Sequence, residues 1–258
     1  MSIKEFRLDR KAAGAQALEG LWGPGPPGDL LYDMAGVGKG NHATRAGTGA
    51  RSQLSDRGRV LLFNGVDDVW ESERSLNIGT EAFTITAWVW LDSTVPGANA
   101  SFASQGDTAA GEWMFRVVGS NVAGAQLGAY GDTGILNAAA PIGTFHPVKD
   151  EWVHVALTRE VVAADCHVYQ NGALMWTDPA IVNLNTAKAF DIGGADDAAG
   201  RWWKGMIDDV RYYSRTLSLG EITHMYNATR YTPYADIALG RMRRYGRVDT
   251  GHVRRAAA

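Results

Sequence analysis

The sequence has a single cysteine, Cys166, among 258 residues, and no stretch approaches the ~18 consecutive apolar residues of a membrane-spanning helix. One cysteine excludes an internal disulfide framework. The first residues, MSIKEFRLDRKAAG, are charged and lack the apolar segment of a secretory signal. These absences predict a protein that folds in a reducing cytoplasm and has no membrane segment. Incorporation into a particle that leaves the cell is a route to the outside that they leave open.

What the sequence does contain is a series of short strand patterns among 31 glycines. FTITAWVWLD (83–92) is β-branched and aromatic on both faces, which is typical of a central strand between two packed layers. EWVHVALTRE (151–160) alternates with a period of two. CHVYQNGALMW (166–176) predicts a hairpin, because Asn171-Gly172 favours the positive φ angles of a two-residue turn. The chain is therefore predicted to be all-β.

One helix is predicted, at residues 219–228. Ser218 and Glu221 have the spacing of a capping box, and Leu217 and Ile222 are placed for a hydrophobic staple. The prediction is a β-sandwich that ends in one short helix.

Charge divides the chain into three parts. Residues 1–17 have mixed charge and are predicted to be an N-terminal arm, followed by a sandwich over 18–228. The tail, 229–258, carries a net charge of about +5, which leaves about −8 on the rest of a chain whose formal charge is −3. Its arginines suit an acidic protein, a nucleic acid or another copy of the chain; the alternative is a solvated end. The residues predicted to act in assembly are Arg241, Arg243, Arg244, Arg247, Arg254 and Arg255.

The stretch RWWKGMIDDVRYYSRTLSLGEI (201–222) contains two adjacent acids in an apolar run. Strand alternation places Asp208 with Val210 and Tyr212, so its carboxylate is predicted to point inward and to need a cation, an arginine or N–H donors. Asp209 is predicted to form a surface pair with Arg211. The two carboxylates diverge, so this pair is not predicted to be catalytic.

Seven motifs in order resemble the LamG-like jelly-roll family, the concanavalin A-like lectin and glucanase fold of laminin-G and pentraxin type. They are EGLWG (19–23), YDMAGVGKGNHAT (32–44), LFNGVDDVW (62–70), FTITAWVW (83–90), EWVHVALTR (151–159), YQNGAL (169–174) and KGMIDDVRYYSRTLSLGEI (204–222). The resemblance implies a two-sheet antiparallel jelly-roll sandwich with one short C-terminal helix and extended terminal arms.

Many members of this family bind one structural Ca²⁺ between an N-terminal Asp loop and the closing strand. Carried over to this sequence, the resemblance implies the ligands Asp33, Asn41 and Asp208 together with backbone carbonyls, a hard-oxygen set that suits calcium. The loop differs from the family pattern, because Met34-Ala35 replaces the usual serine and about two residues are added.

The family also bears on catalysis. Glu71 and Glu73 lie two apart, which is similar to the paired acids of sandwich-fold glucanases, but the Glu-x-Asp-x-x-Glu frame of those enzymes is absent. No catalytic residue is therefore predicted, and the protein is not expected to be an enzyme.

The stretch GLWGPGPPGDLLYDMAG, followed by an arginine-rich tail, is similar to LamG-like proteins encoded among bacteriophage structural genes. This resemblance implies a non-enzymatic virion protein, a capsid decoration or fibre-like component, that displays the sandwich and binds surface glycans. Its expected partners are capsid or other virion proteins and further copies of itself, with no membrane and no specific nucleic acid. The alternative is a free carbohydrate-binding module or lectin, which would not need the two charged arms.

Overall fold

The fold is two antiparallel β-sheets packed face to face, followed by one helix. The computed structural model describes residues 18–23, 30–31, 41–47, 51–95, 99–106, 112–118, 126–131, 149–161, 165–178, 184, 186–195 and 201–230. The two predicted arms, apart from Thr229 and Arg230, lie outside these residues. All pairs of the strands named below are antiparallel.

The first sheet has eight strands in the order β13-β12-β11-β7-β15-β5-β4, and β1 pairs with the far half of β15. These strands are β1 (Leu18–Trp22), β4 (Arg51–Ser55), β5 (Gly58–Asn64), β7 (Phe83–Leu91), β11 (Trp152–Arg159), β12 (Cys166–Gln170), β13 (Ala173–Asp178) and β15 (Lys204–Tyr213). The second sheet has seven strands in the order β10-β9-β8-β14-β6-β3-β2. They are β2 (Leu30–Leu31), β3 (Ala43–Ala46), β6 (Val69–Ser72), β8 (Asn99–Gln105), β9 (Trp113–Val118), β10 (Gln126–Gly131) and β14 (Asp191–Ile192).

The central position predicted for FTITAWVWL is confirmed. It forms β7, which lies between β11 and β15 and is buried along nearly its whole length. Its inward residues, such as Phe83 and Ile85, join a core that holds Trp22, Trp113 and Phe190. The rings of Trp22 and Phe190 lie 5.0 Å apart, so aromatic packing fills the space between the sheets.

The predicted hairpin and helix are also confirmed. Asn171 and Gly172 have φ angles of 50° and 79°, which close the β12–β13 turn. Helix α1 (Leu219–Thr229) begins with the capping box, in which Ser218 and Glu221 bond each other's backbone N–H groups. It packs on the outer face of the eight-stranded sheet through a second apolar cluster that includes Ile222 and Tyr213. No helix in the described part of the chain is long and apolar enough to span a membrane.

A β-bulge in β15 corrects the predicted orientation of Asp208. Asp209 has φ 53°, and the pairing of β15 with β7 is interrupted between Asp208 and Arg211. The extra residue lets Ile207 and Val210 both face the core. Asp208 therefore lies across from Trp88 on the outer face of the sheet rather than on the face of Val210.

Candidate functional site

The predicted calcium ligands are not all brought together. Asp33 lies outside the described residues. Asn41 precedes β3 of the seven-stranded sheet, and its side-chain amide bonds the backbone of Arg74 at 3.0 and 3.1 Å. The backbone carbonyl of Asn41 accepts from the core residue Trp22, whereas Asp208 faces away from the core on the other sheet. Asn41 and Asp208 therefore do not meet, and calcium binding stays a prediction.

Asp208 is buried against an arginine from the turn between β4 and β5. The Nε of Arg57 lies 3.5 Å from Oδ2 of Asp208, and neither side chain is appreciably exposed to solvent. The guanidinium carbon of Arg57 lies 3.9 Å from the ring centre of Trp88 and 5.3 Å from that of Trp152. Of the partners predicted for the buried carboxylate, a cation, an arginine or N–H donors, the structure supplies an arginine, which is held over two indoles.

Asp208, Arg57, Trp88 and His154 form one buried cluster, and burial has the largest effect on the pKa values of its acid and its imidazole. Burial raises the pKa of Asp208 from 3.8 to about 7, helped by the charge of Asp209, and the charge of Arg57 opposes the rise without cancelling it. Burial also lowers the pKa of His154, the neighbour of Trp88 on β11, to about 3, so this imidazole is neutral at pH 7. Asp209 forms the predicted pair with Arg211, at 2.7 Å, but the carboxylate is buried rather than at the surface.

The end of helix α1 covers the same cluster. Trp88 donates its indole N–H to Oγ1 of Thr229 at 2.8 Å. The ring of Tyr226 lies 5.8 Å from that of Trp88 and 6.2 Å from that of His154. These contacts make the cluster an anchor that joins the β4–β5 turn, the closing strand and the last turn of the helix.

The structure places one carboxylate pair on the seven-stranded sheet that the sequence did not reveal. Glu71 of β6 lies directly across from Asp191 of β14, while Glu73 follows the end of β6 and is exposed. Cross-strand neighbours have Cβ atoms about 5 Å apart, so their carboxyl groups can come as close as the roughly 5 Å that separates the two carboxyl groups of a retaining glycosidase. Asp191 is only 3% exposed, and its other neighbour, Ser104, is fully buried. A catalytic carboxylate must reach a substrate, so this burial argues against catalysis by the pair.

Comparison with protein families agrees with the fold. Residues 64–223, more than half of the chain, match the laminin-G type family described as the concanavalin A-like lectin/glucanases superfamily. The chain belongs to this superfamily. No curated protein matches the sequence significantly.

Several solved structures show the same fold at low identity. Domain 4 of a GH43 extracellular arabinanase from Geobacillus stearothermophilus, solved with arabinotriose, has a TM-score of 0.53 at 17% identity, over 70% of this chain and 82% of that one. The binding domain of botulinum neurotoxin serotype D/C has a TM-score of 0.60 at 14% identity, over 85% of this chain and 54% of that one. Trypanosoma rangeli sialidase has a TM-score of 0.61 at 20% identity, over 84% of this chain and 33% of that one.

This chain thus spans about half of the toxin domain and a third of the sialidase. The neighbours include enzymes as well as binding domains, and at these identities the likeness shows the fold alone. The superfamily fold is compatible with a non-catalytic domain of lectin type.

Calcium binding can be tested by thermal denaturation. We expect calcium added to metal-free protein to raise the Tm, because a ligand that binds only the folded state stabilises it. Because Asp208 faces Arg57, the shift should survive Asp208→Asn and disappear in Asp33→Asn. An unchanged melting curve on adding calcium would contradict calcium binding, and loss of the shift in Asp208→Asn would return Asp208 to the ligand set.

Proposed function

We propose that this protein is a non-enzymatic structural component of a virion, a capsid decoration or fibre-like protein that displays its sandwich domain. The observation that carries the proposal is the division of charge. Residues 230–258 hold seven arginines and two acids, on a body with a net charge of about −8. Such a segment, which begins at the end of a helix packed firmly on the sandwich, suits attachment to an acidic neighbour in an assembly.

Glycan binding is the activity proposed for the displayed sandwich. It is supported by the superfamily and by relatives solved with sugars, such as the arabinanase domain with arabinotriose. The second candidate is a free carbohydrate-binding module, which shares the fold and the expected ligands. The two differ in the use of the tail, because a free module has no neighbour for its arginines to bind.

Mass spectrometry of purified particles separates the two candidates. A virion component is expected in the particle at a fixed copy number that survives density-gradient purification. A protein found only in the unassembled fraction, and binding an array of glycans as a monomer, would favour the free module.

Hydrolysis is not expected. With Asp191 buried, the full-length protein should release no reducing sugar from β-glucans, arabinans or sialylated oligosaccharides, because the carboxylate cannot contact the substrate. Steady product release that disappears in both Glu71→Gln and Asp191→Asn would overturn this expectation. Glu73→Gln is the matched control, since Glu73 is exposed and lies beyond β6.

A further inference from the structure

Among the described residues, helix α1 and the β4–β5 turn cover only part of the outer face of the eight-stranded sheet. Trp152, Trp90, Met206 and Leu62 occupy one row across the adjacent strands β11, β7, β15 and β5, because each is the cross-strand neighbour of the next. All four are partly exposed. We refer to these four residues as the tryptophan strip.

Alternation along the strands places the strip on the outer face. The neighbours of its members in sequence, such as Val89, Val153 and Ile207, belong to the core between the sheets. The next row on the outer face contains His154, Trp88 and Asp208, which the helix end and Arg57 bury. The strip therefore lies immediately next to the part of the sheet that the end of helix α1 and Arg57 cover.

The chain leaves helix α1 beside the strip. Thr229 is bonded to Trp88, and Trp88 and Trp90 are two residues apart on one face of β7, a separation of about 7 Å. The strip crosses four strands, a width of about 15 Å, which about five residues of extended chain can span. The 28 residues that follow Arg230 are ample to reach it, in the same copy or from a neighbouring one.

The Trp152 end of the strip matches the chemistry of the tail, whereas the Leu62 end lies next to the exposed Arg51 of β4. Tryptophan faces bind guanidinium groups, and Arg57 already does so between Trp88 and Trp152. Exposed acids flank the indole of Trp152: Glu151 precedes it in sequence, and Asp56 accepts its N–H at 2.9 Å. Trp, Met and carboxylates together form a surface for arginine and tyrosine side chains, and the tail is rich in both.

We propose that the tryptophan strip is the binding surface for residues 231–258 of this chain. The inference rests on the assembly role proposed for that segment and names its receptor as the sandwich itself. A tail bound to the strip of its own copy is held in place, and one bound to the strip of the next copy links the copies together.

Photo-cross-linking of the full-length protein tests this proposal. Tyr245 lies among the arginines of the tail and is a suitable position for the photoreactive residue. With Tyr245→p-benzoylphenylalanine, we expect cross-linked peptides that contain Trp90, Trp152 or Met206. A mixture of unlabelled and ¹⁵N-labelled protein distinguishes tails bound within a copy from tails bound between copies. Cross-links that map only elsewhere on the sandwich, or none at all, would overturn the proposal.

Two variants show whether the strip is the cause. Met206→Lys places a positive charge in the middle of the strip and should lower the cross-link yield by about tenfold, through lost apolar contact and repulsion of the arginines. Met206→Glu removes the same apolar contact but attracts arginine, so its loss should be smaller. Leu54→Lys is the control, because Leu54 is exposed on the opposite face of β4 and should leave the yield unchanged.

The cross-linking result and the proposed virion role can fail independently of each other. If the cross-link yield is the same in Met206→Lys as in the protein with Met206, the tryptophan strip is not the binding surface of the tail. Deletion of the tail could still abolish incorporation into particles in that case, and the virion role would stand with a receptor on another protein.

Discussion

Replacing Arg57 with methionine is expected to lower the free energy of unfolding by about 2–4 kcal/mol at pH 8. The substitution keeps much of the apolar side chain but leaves the buried carboxylate of Asp208 without its nearest cation. It also removes the guanidinium from the face of Trp88. Urea denaturation of the full-length protein measures the change.

The loss should depend on pH in a defined direction. The pKa of Asp208 is raised from 3.8 to about 7 in the folded state. The contribution of protonated Asp208 to the free energy of unfolding is therefore complete below pH ~4 and is lost as the pH rises through 7. Because Arg57 holds this pKa down, Arg57→Met should raise it further. The difference between the two proteins should therefore be larger at pH 8 than at pH 5, where Asp208 is protonated in both.

Two comparisons separate charge from packing. Arg59→Met changes a nearby arginine whose side chain donates to Ser52 Oγ at 3.1 Å, and it should alter the free energy of unfolding by less than about 0.5 kcal/mol. Adding Asp208→Asn to Arg57→Met should remove the extra pH dependence. An equal loss at pH 5 and pH 8 would show that Arg57 acts through its stacking on Trp88 alone.

Ending the chain at Arg230 is expected to abolish association while changing the Tm by no more than about 2 °C. The sandwich has its own core between the sheets, and the described core residues run from Leu18 to Met225. The cut must follow Arg230, because Thr229 is buried and accepts the indole N–H of Trp88. Ending the chain at Asn227 would leave that donor unpaired and confuse instability with lost attachment.

Light scattering and incorporation into particles measure the effect of this truncation. Replacing Arg241, Arg243, Arg244, Arg247, Arg254 and Arg255 with glutamine should reproduce the loss without shortening the chain. High salt should also weaken association of the intact protein, as truncation does, because salt screens the attraction between charges. A truncated protein that still assembles at full occupancy would transfer the attachment role to residues 1–17.

The local sequence was sufficient for most of the fold. Period-two alternation, an Asn-Gly turn and a capping box each act over a few residues, so β7, β11, the β12–β13 hairpin and helix α1 were predictable in type and close to their observed bounds. The motif order predicted the jelly-roll sandwich, and the match over 64–223 supports the same family. The need of a buried Asp208 for a cation, an arginine or N–H donors also followed from its desolvation alone.

Only the tertiary structure decided which groups meet. The bulge at Asp209 places Asp208 on the outer face of the sheet. The hydrophobic periodicity of a strand does not predict such an extra residue. No sequence pattern singled out Arg57, yet it is the counter-charge of a residue 151 positions away. The pairing of Glu71 with Asp191 and the alignment of Trp152, Trp90, Met206 and Leu62 arise from register between strands distant in the chain. Register is set by the global packing of the two sheets, and a single strand carries no information about its neighbour's offset.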